Sequence, residues 1–200
     1  MPRPLRLWEP GISQHVYQRG HNGCTTFVDD SDCEVFVSLL RRASDRTNVD
    51  VHGFSIMKTH YHVVATSPTE RALPRLIQIL GGSYVRYFNG RYARYGTLWG
   101  GRYSAKLIRD ERYWLTCLRY VECNALAAHV VANAEAHKWC SYRVHALGER
   151  SNWLVEHPLY KRLGKTPVER QAAYRAICGT VPEYSDTSEW SDPSDDPFEQ

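Results

Sequence analysis

His60 and His62 stand two apart in HYHVVAT, residues 60–66, a stretch whose composition reads as a short strand. Period 2 puts both imidazoles on one face of such a strand, with Tyr61 and Val63 on the other. Two neutral imidazoles on one face make two thirds of a facial metal site. An HxH pair taken alone is more often structural. Tyr120 and Asn124 change the balance: they are four apart in a segment that reads as helix, so they share a face. An amide oxygen is a hard ligand suited to Mg2+ or Mn2+. A phenol one turn earlier would lie close to a metal held by that amide. Read separately, the two are a core tyrosine and a helix-terminal asparagine. Read together, the four residues predict a metal held by His60, His62 and Asn124, with Tyr120 as nucleophile. The matching chemistry is phosphodiester transfer. The metal would bind a non-bridging phosphate oxygen and polarise phosphorus. The phenol, with an ordinary pKa of about 10, must lose its proton to attack. The product is a covalent phosphotyrosine and a free hydroxyl. The bond energy is retained, so the step can reverse and rejoin strands.

The elements that must position these residues follow from periodicity. Residues 12–20 read as a first strand. Ser31 to Glu34 fits a capping box, and Val35, Phe36, Leu39, Leu40 and Ala43 then recur at helical spacing, which predicts a helix over 32–46. Residues 49–57 and 60–66 are strand-like. Pro74 suits the first position of a helix that Leu76, Ile77, Leu80, Tyr84 and Phe88 carry to about 89. Gly81 and Gly82 weaken that helix, so close packing is the expected reason for them. Residues 102–108 alternate as a half-buried strand, with Arg102, Ser104 and Lys106 outward. Asp110 and Glu111 open a helix predicted to run to about 128; further helices are expected over 134–147 and 167–178. The order β-α-β-β-α-β is the split βαβ pattern. It predicts an α+β, ferredoxin-like fold: an antiparallel sheet with helices on one face and extra C-terminal helices.

The net charge of +3 hides an asymmetry. Residues 183–200 carry seven acids and no Lys or Arg, which leaves residues 1–182 at about +10. This tail, rich in Ser and Pro, reads as disordered. Residues 71–119 hold ten Lys or Arg against Asp110 and Glu111 alone. A basic body points to a polyanion, most often nucleic acid. Arg86, Arg91, Arg94, Arg102 and Lys106 surround a loop in which Tyr92, Tyr95 and Trp99 are interleaved. Arginine neutralises phosphate and aromatic rings stack unpaired bases. Arg19, Trp99 and the Pro-spaced Arg3 and Arg6 complete the expected DNA contacts. The other histidines, at 15, 21, 52, 129, 137, 145 and 157, have no partner at ligand spacing and read as structural. The six cysteines make no CxxC, so a zinc ribbon is not expected. No apolar run approaches a membrane span and no secretory signal is readable, so a cytoplasmic protein with free thiols is expected. The oligomeric state, monomer or dimer, stays open.

Several blocks carry a resemblance: MPRPLR, PGISQHVYQRG, FSIMKTHYHVVAT, GSYVRYFN, LWGGRYSA, RYVECN and WCSYR, which together span about residues 1–145. In this order they resemble the REP-associated tyrosine transposases, bacterial relatives of the single-tyrosine HUH transposases. The resemblance implies an HUH nuclease that uses Mg2+ or Mn2+ on single-stranded DNA. It would cut and rejoin near the hairpins of repetitive extragenic palindromes, leaving a 5′-phosphotyrosine and a 3′-hydroxyl. By motif, His60 and His62 match the HUH histidines, Tyr120 the nucleophile and Asn124 the third ligand. Two departures stand out. The family often reads MPNHYH where this chain has MKTHYH, and NPVRAG where it has NALAAH, so the usual Pro and Arg are gone. The organisation implied is a catalytic domain over 1–150, a helical extension over 151–182 and the acidic tail over 183–200. A hairpin-binding protein without catalysis, and a metal phosphohydrolase that uses water, remain as alternatives.

Overall fold

A computed structural model of the chain describes residues 7–179. Arg3, Arg6 and the acidic tail lie outside them. Strands β1 (Ser13–Arg19), β2 (Asp50–Ile56), β3 (His60–Thr66) and β4 (Ser104–Leu107) form one antiparallel sheet in the order β2-β3-β1-β4. Helices α1 (Asp30–Thr47) and α2 (Ala72–Arg91) connect β1 to β2 and β3 to β4. This is the expected α+β arrangement, with β1 and β3 central.

Alternation along the central strands builds two cores. Val16, Tyr61, Val63 and Ala65 face α1 and α2 together with Phe36, Leu40, Leu76, Leu80 and Tyr84. Gly81 has a packing reason there: a Cβ at that point would stand 3.4 Å from the indole nitrogen of Trp99. Gly82 is exposed and has no such neighbour. The opposite face is also covered. α3 (Glu111–Glu122), the single turn α4 (Asn124–Ala127), α5 (Tyr142–Leu147), α6 (Pro158–Lys161) and α7 (Pro167–Gly179) follow the sheet. Val64 of the sheet packs there with Trp114, Cys117, Leu118, Val121 and Tyr174. So α1 and α2 take one face, as expected, and the C-terminal helices take part of the other. Gly53 is what lets α3 approach: a Cβ there would stand 2.4 Å from Leu118 Cδ1.

The structure shifts several boundaries. The cap of α1 is Asp29, which accepts from the Asp32 backbone N–H at 3.3 Å, not Ser31. Pro74 is the third residue of α2 rather than the first, and is tolerated because the first four N–H groups of a helix have no partner inside it. The helix predicted from 110 to 128 breaks at Cys123, whose N–H turns back to the carbonyls of Arg119 and Val121. The helix predicted over 134–147 is a 3-10 turn at Ala134–Ala136 and then α5, with a turn and an isolated bridge at Cys140 between. There the Trp139 carbonyl accepts from Ile56 N–H at 2.9 Å and Ser141 N–H donates to the Phe54 carbonyl at 3.0 Å. Residues 139–141 therefore cover the edge of β2, which would otherwise expose unpaired backbone groups.

Candidate active site

The register places the histidines. Tyr17 on β1 pairs with His62, and Arg19 with His60, while His15 pairs with Val64 on β3 and Lys106 on β4. Residues paired across neighbouring strands share a face, so all of these side chains line the sheet face that α3 crosses. The rings of His60 and His62 meet edge to face with centroids 5.1 Å apart. Tyr17 lies against both, at 5.4 Å from His60 and 4.8 Å from His62. Tyr120, half-buried in the last turn of α3, presents an edge contact to His62 at 5.6 Å and to His15 at 5.8 Å. Helix and strand thus bring the phenol and the HxH pair together. Asn124 opens α4 one turn later and is half-buried; among the described residues no hydrogen bond joins it to His60 or His62.

His15, expected to be structural, belongs to this cluster. Its Nε2 lies 2.9 Å from His62 Nδ1, and the two rings stack at 5.1 Å. Burial, helped by the charge of Lys106, pushes the His15 pKa down to about 3. Burial likewise holds His62 well below its ordinary value, with His15 and His60 adding to the effect. Both rings are therefore neutral near pH 7, the form that can ligate a metal. His60 Nδ1 is 3.0 Å from the hydroxyl of Thr59. His62 Nε2 is buried and has no hydrogen-bond partner among the described residues.

That nitrogen decides whether a divalent cation suits the site. A buried polar atom without a partner is uncommon in a folded protein and marks an ion, a water or a catalytic role. Among the described residues no cluster of three or more His, Cys, Asp or Glu side chains forms a closed cage. The residues fit an open site instead: His60 and His62 would supply two nitrogens, with the Asn124 amide and substrate oxygens left to complete the shell.

The expected DNA contacts divide. Arg19 and Lys106 stand on the site face, beside His60 and His15 in register. Arg86, Arg94 and Arg102 are exposed, Arg94 over the ring of Phe88 at 5.4 Å. Trp99 is not available for stacking: it is 9% exposed, packed against Tyr61 at 5.5 Å and Tyr84 at 6.0 Å. The exposed ring of this loop is Tyr95, 95% accessible. Arg91 is a brace. It bonds Asp29 at 2.6 Å and the buried Asp32 at 2.7 Å, and Asp32 also accepts from Tyr87 and Tyr92. Arg91 is itself exposed, and it supplies that buried carboxylate with a charged partner.

An antiparallel α+β sheet with helices on both sides and a histidine-tyrosine cluster on one face defines a class that relatives make specific. The sequence profile of the IS200-like transposases matches residues 15–124, and the chain belongs to that family. A REP-associated tyrosine transposase solved bound to a REP hairpin is similar to it in fold, with a TM-score of 0.61 at 12% identity, over 78% of this chain and 93% of that one. A proposed transposase of Deinococcus radiodurans R1 is more distantly similar, with a TM-score of 0.43 at 14% identity, over 56% of this chain and 89% of that one. No curated protein matches the chain in sequence. Among the described residues no helix is long and apolar enough to cross a membrane.

Proposed function

We propose that this transposase-family protein cuts and rejoins single-stranded DNA beside a hairpin, in the cytoplasm, through a covalent bond to Tyr120. The observation that carries the reading is the Tyr120 ring set against His62, a buried histidine with one unpaired nitrogen, on a face flanked by Arg19 and Lys106. Lys106 and Arg19 draw the phosphate backbone onto that face. His60, His62 and Asn124 would hold the cation. Bound there, Mg2+ or Mn2+ supplies Lewis acidity toward a phosphate oxygen. The Tyr120 oxygen attacks phosphorus, an O–P bond forms, and the bond from phosphorus to the 3′-oxygen breaks. The phenolic proton leaves by way of solvent or a base, and the departing 3′-oxygen takes one up. The product is a 5′-phosphotyrosine and a 3′-hydroxyl, and reversal with another 3′-hydroxyl joins strands. The hairpin as substrate rests on family membership and on the hairpin held by the relative of similar fold. The catalytic unit is assigned to residues 1–150 and the remainder to a helical extension and tail.

The test is incubation with end-labelled single-stranded hairpin DNA and Mn2+, followed by a denaturing gel. The reading expects a cut strand and a slower band that protease removes. A cut strand with no protein-linked band would favour hydrolysis by water. Binding without cutting would favour a hairpin-binding protein. Undiminished cutting in excess EDTA would remove the metal from the account.

A further inference from the structure

We infer that His15 is a positioning residue for the metal site: its Nε2 accepts the Nδ1–H of His62 and so fixes His62 in the tautomer whose Nε2 lone pair is bare. This rests on the metal reading above and adds a residue to it. The geometry carries the argument. The contact is 2.9 Å between His15 Nε2 and His62 Nδ1, both rings are buried, and they stack with planes 13° apart. Two neutral imidazoles share one proton in such a contact, so one ring donates and the other accepts. If His15 donated, His62 would carry its own proton on Nε2. That would leave an N–H inside the fold with no acceptor, since His62 Nε2 has no partner among the described residues. If His62 donates, its Nε2 presents a lone pair, which is what a divalent cation takes. Histidines that ligate metals are ordinarily held in this way, by an acceptor on the other ring nitrogen. That acceptor here is a second imidazole on the neighbouring strand, fixed by the pairing of β1 with β3 and by the edge of Tyr120 against its ring.

The test reads the tautomer and the metal separately. The protein is labelled with 15N-histidine, freed of metal, and the ring nitrogens of His62 are observed at neutral pH. Their resonances distinguish a protonated nitrogen from a bare one. The inference expects the proton on Nδ1. Mn2+ affinity is then measured for the unaltered protein, His15→Leu and His15→Gln. The Leu variant should lose about tenfold to hundredfold in affinity, the usual cost of removing such a partner. The Gln variant should recover most of it, because its amide oxygen can accept at the same place. Should the Leu variant not fold, the tautomer and the Gln variant still decide. A proton on His62 Nε2, or a folded Leu variant with unaltered Mn2+ affinity, overturns the inference. An unaltered protein that binds no Mn2+ overturns the metal reading beneath it.

Discussion

Two buried histidine clusters lie on the α3 side of the sheet, and they are built on opposite principles. In the first, His145 donates from Nδ1 to Glu122 Oε1 at 2.7 Å, Ser141 donates to the same oxygen, and the Tyr174 hydroxyl donates to Oε2 at 2.7 Å. Burial alone would lower the His145 pKa, but the charge and hydrogen bond of Glu122 outweigh it and raise it. Every group pulls β2, α3, α5 and α7 together. In the second, His15 and His62 are held neutral, and His62 keeps one nitrogen without a partner. Glu122 and Tyr120 are two residues apart on α3, so one helix serves both. The difference teaches that a saturated polar cluster braces a fold, whereas an unsaturated one at equal depth leaves an atom open to an ion, a water or the proposed chemistry.

The largest effect that could break this comparison is on cleavage. Tyr120→Phe should abolish it, with DNA affinity within about tenfold, since one lost hydroxyl contact is worth about 0.5–1.5 kcal/mol. Its urea midpoint should stay near that of the unaltered protein. A Phe variant that still nicks DNA would move the nucleophile elsewhere. The next effect is on stability. Glu122→Ala leaves His145, Ser141 and Tyr174 without their acceptor, and breaking such a buried pair costs about 3–5 kcal/mol. A midpoint that barely moves would remove the bracing role.

Acid and alkali should separate the clusters by sign. His15 and His62 have lowered pKa values, so the unfolded chain binds their protons first as pH falls below about 6.5. Stability should drop as pH falls from that point toward the His15 value of about 3. His145 behaves oppositely: its contribution is complete below about 6.5 and is lost as pH rises through its raised folded value. NMR titration of the imidazole protons checks both directions. A His145 signal that titrates below the His15 signal would contradict the contrast.

The smallest effect concerns the surface arginines. Arg102→Ala should reduce the salt dependence of DNA binding by about one phosphate contact, while Arg91→Ala should change it less and lower the urea midpoint, because the buried Asp32 loses its charged partner. Salt-dependent affinities and urea melts of the two variants check it.

Much of the frame was legible because it is local. The bounds of β3 and the shared face of His60 and His62 follow from a period of two, and the antiparallel α+β arrangement from the order of elements. What failed was long-range. His15 joins the site through pairing with a strand almost fifty residues away, a register that spacing within one segment does not reveal. Residues 139–141 resemble an untidy helix because they pair with the edge of β2. Trp99 has the type that stacks bases, but packing over Gly81 claims it instead, and Arg91 adds to its exposed position an ion pair with the buried Asp32.

The central claim is that Tyr120 itself becomes joined to DNA. The direct measurement is to trap the protein with a hairpin oligonucleotide and Mn2+, digest it with protease and nuclease, and map the nucleotide-bearing peptide by mass spectrometry. The account predicts a single modified peptide carrying the nucleotide on Tyr120 and none in the Tyr120→Phe protein. A nucleotide found on any other residue, or full cleavage with no modified peptide, would contradict it.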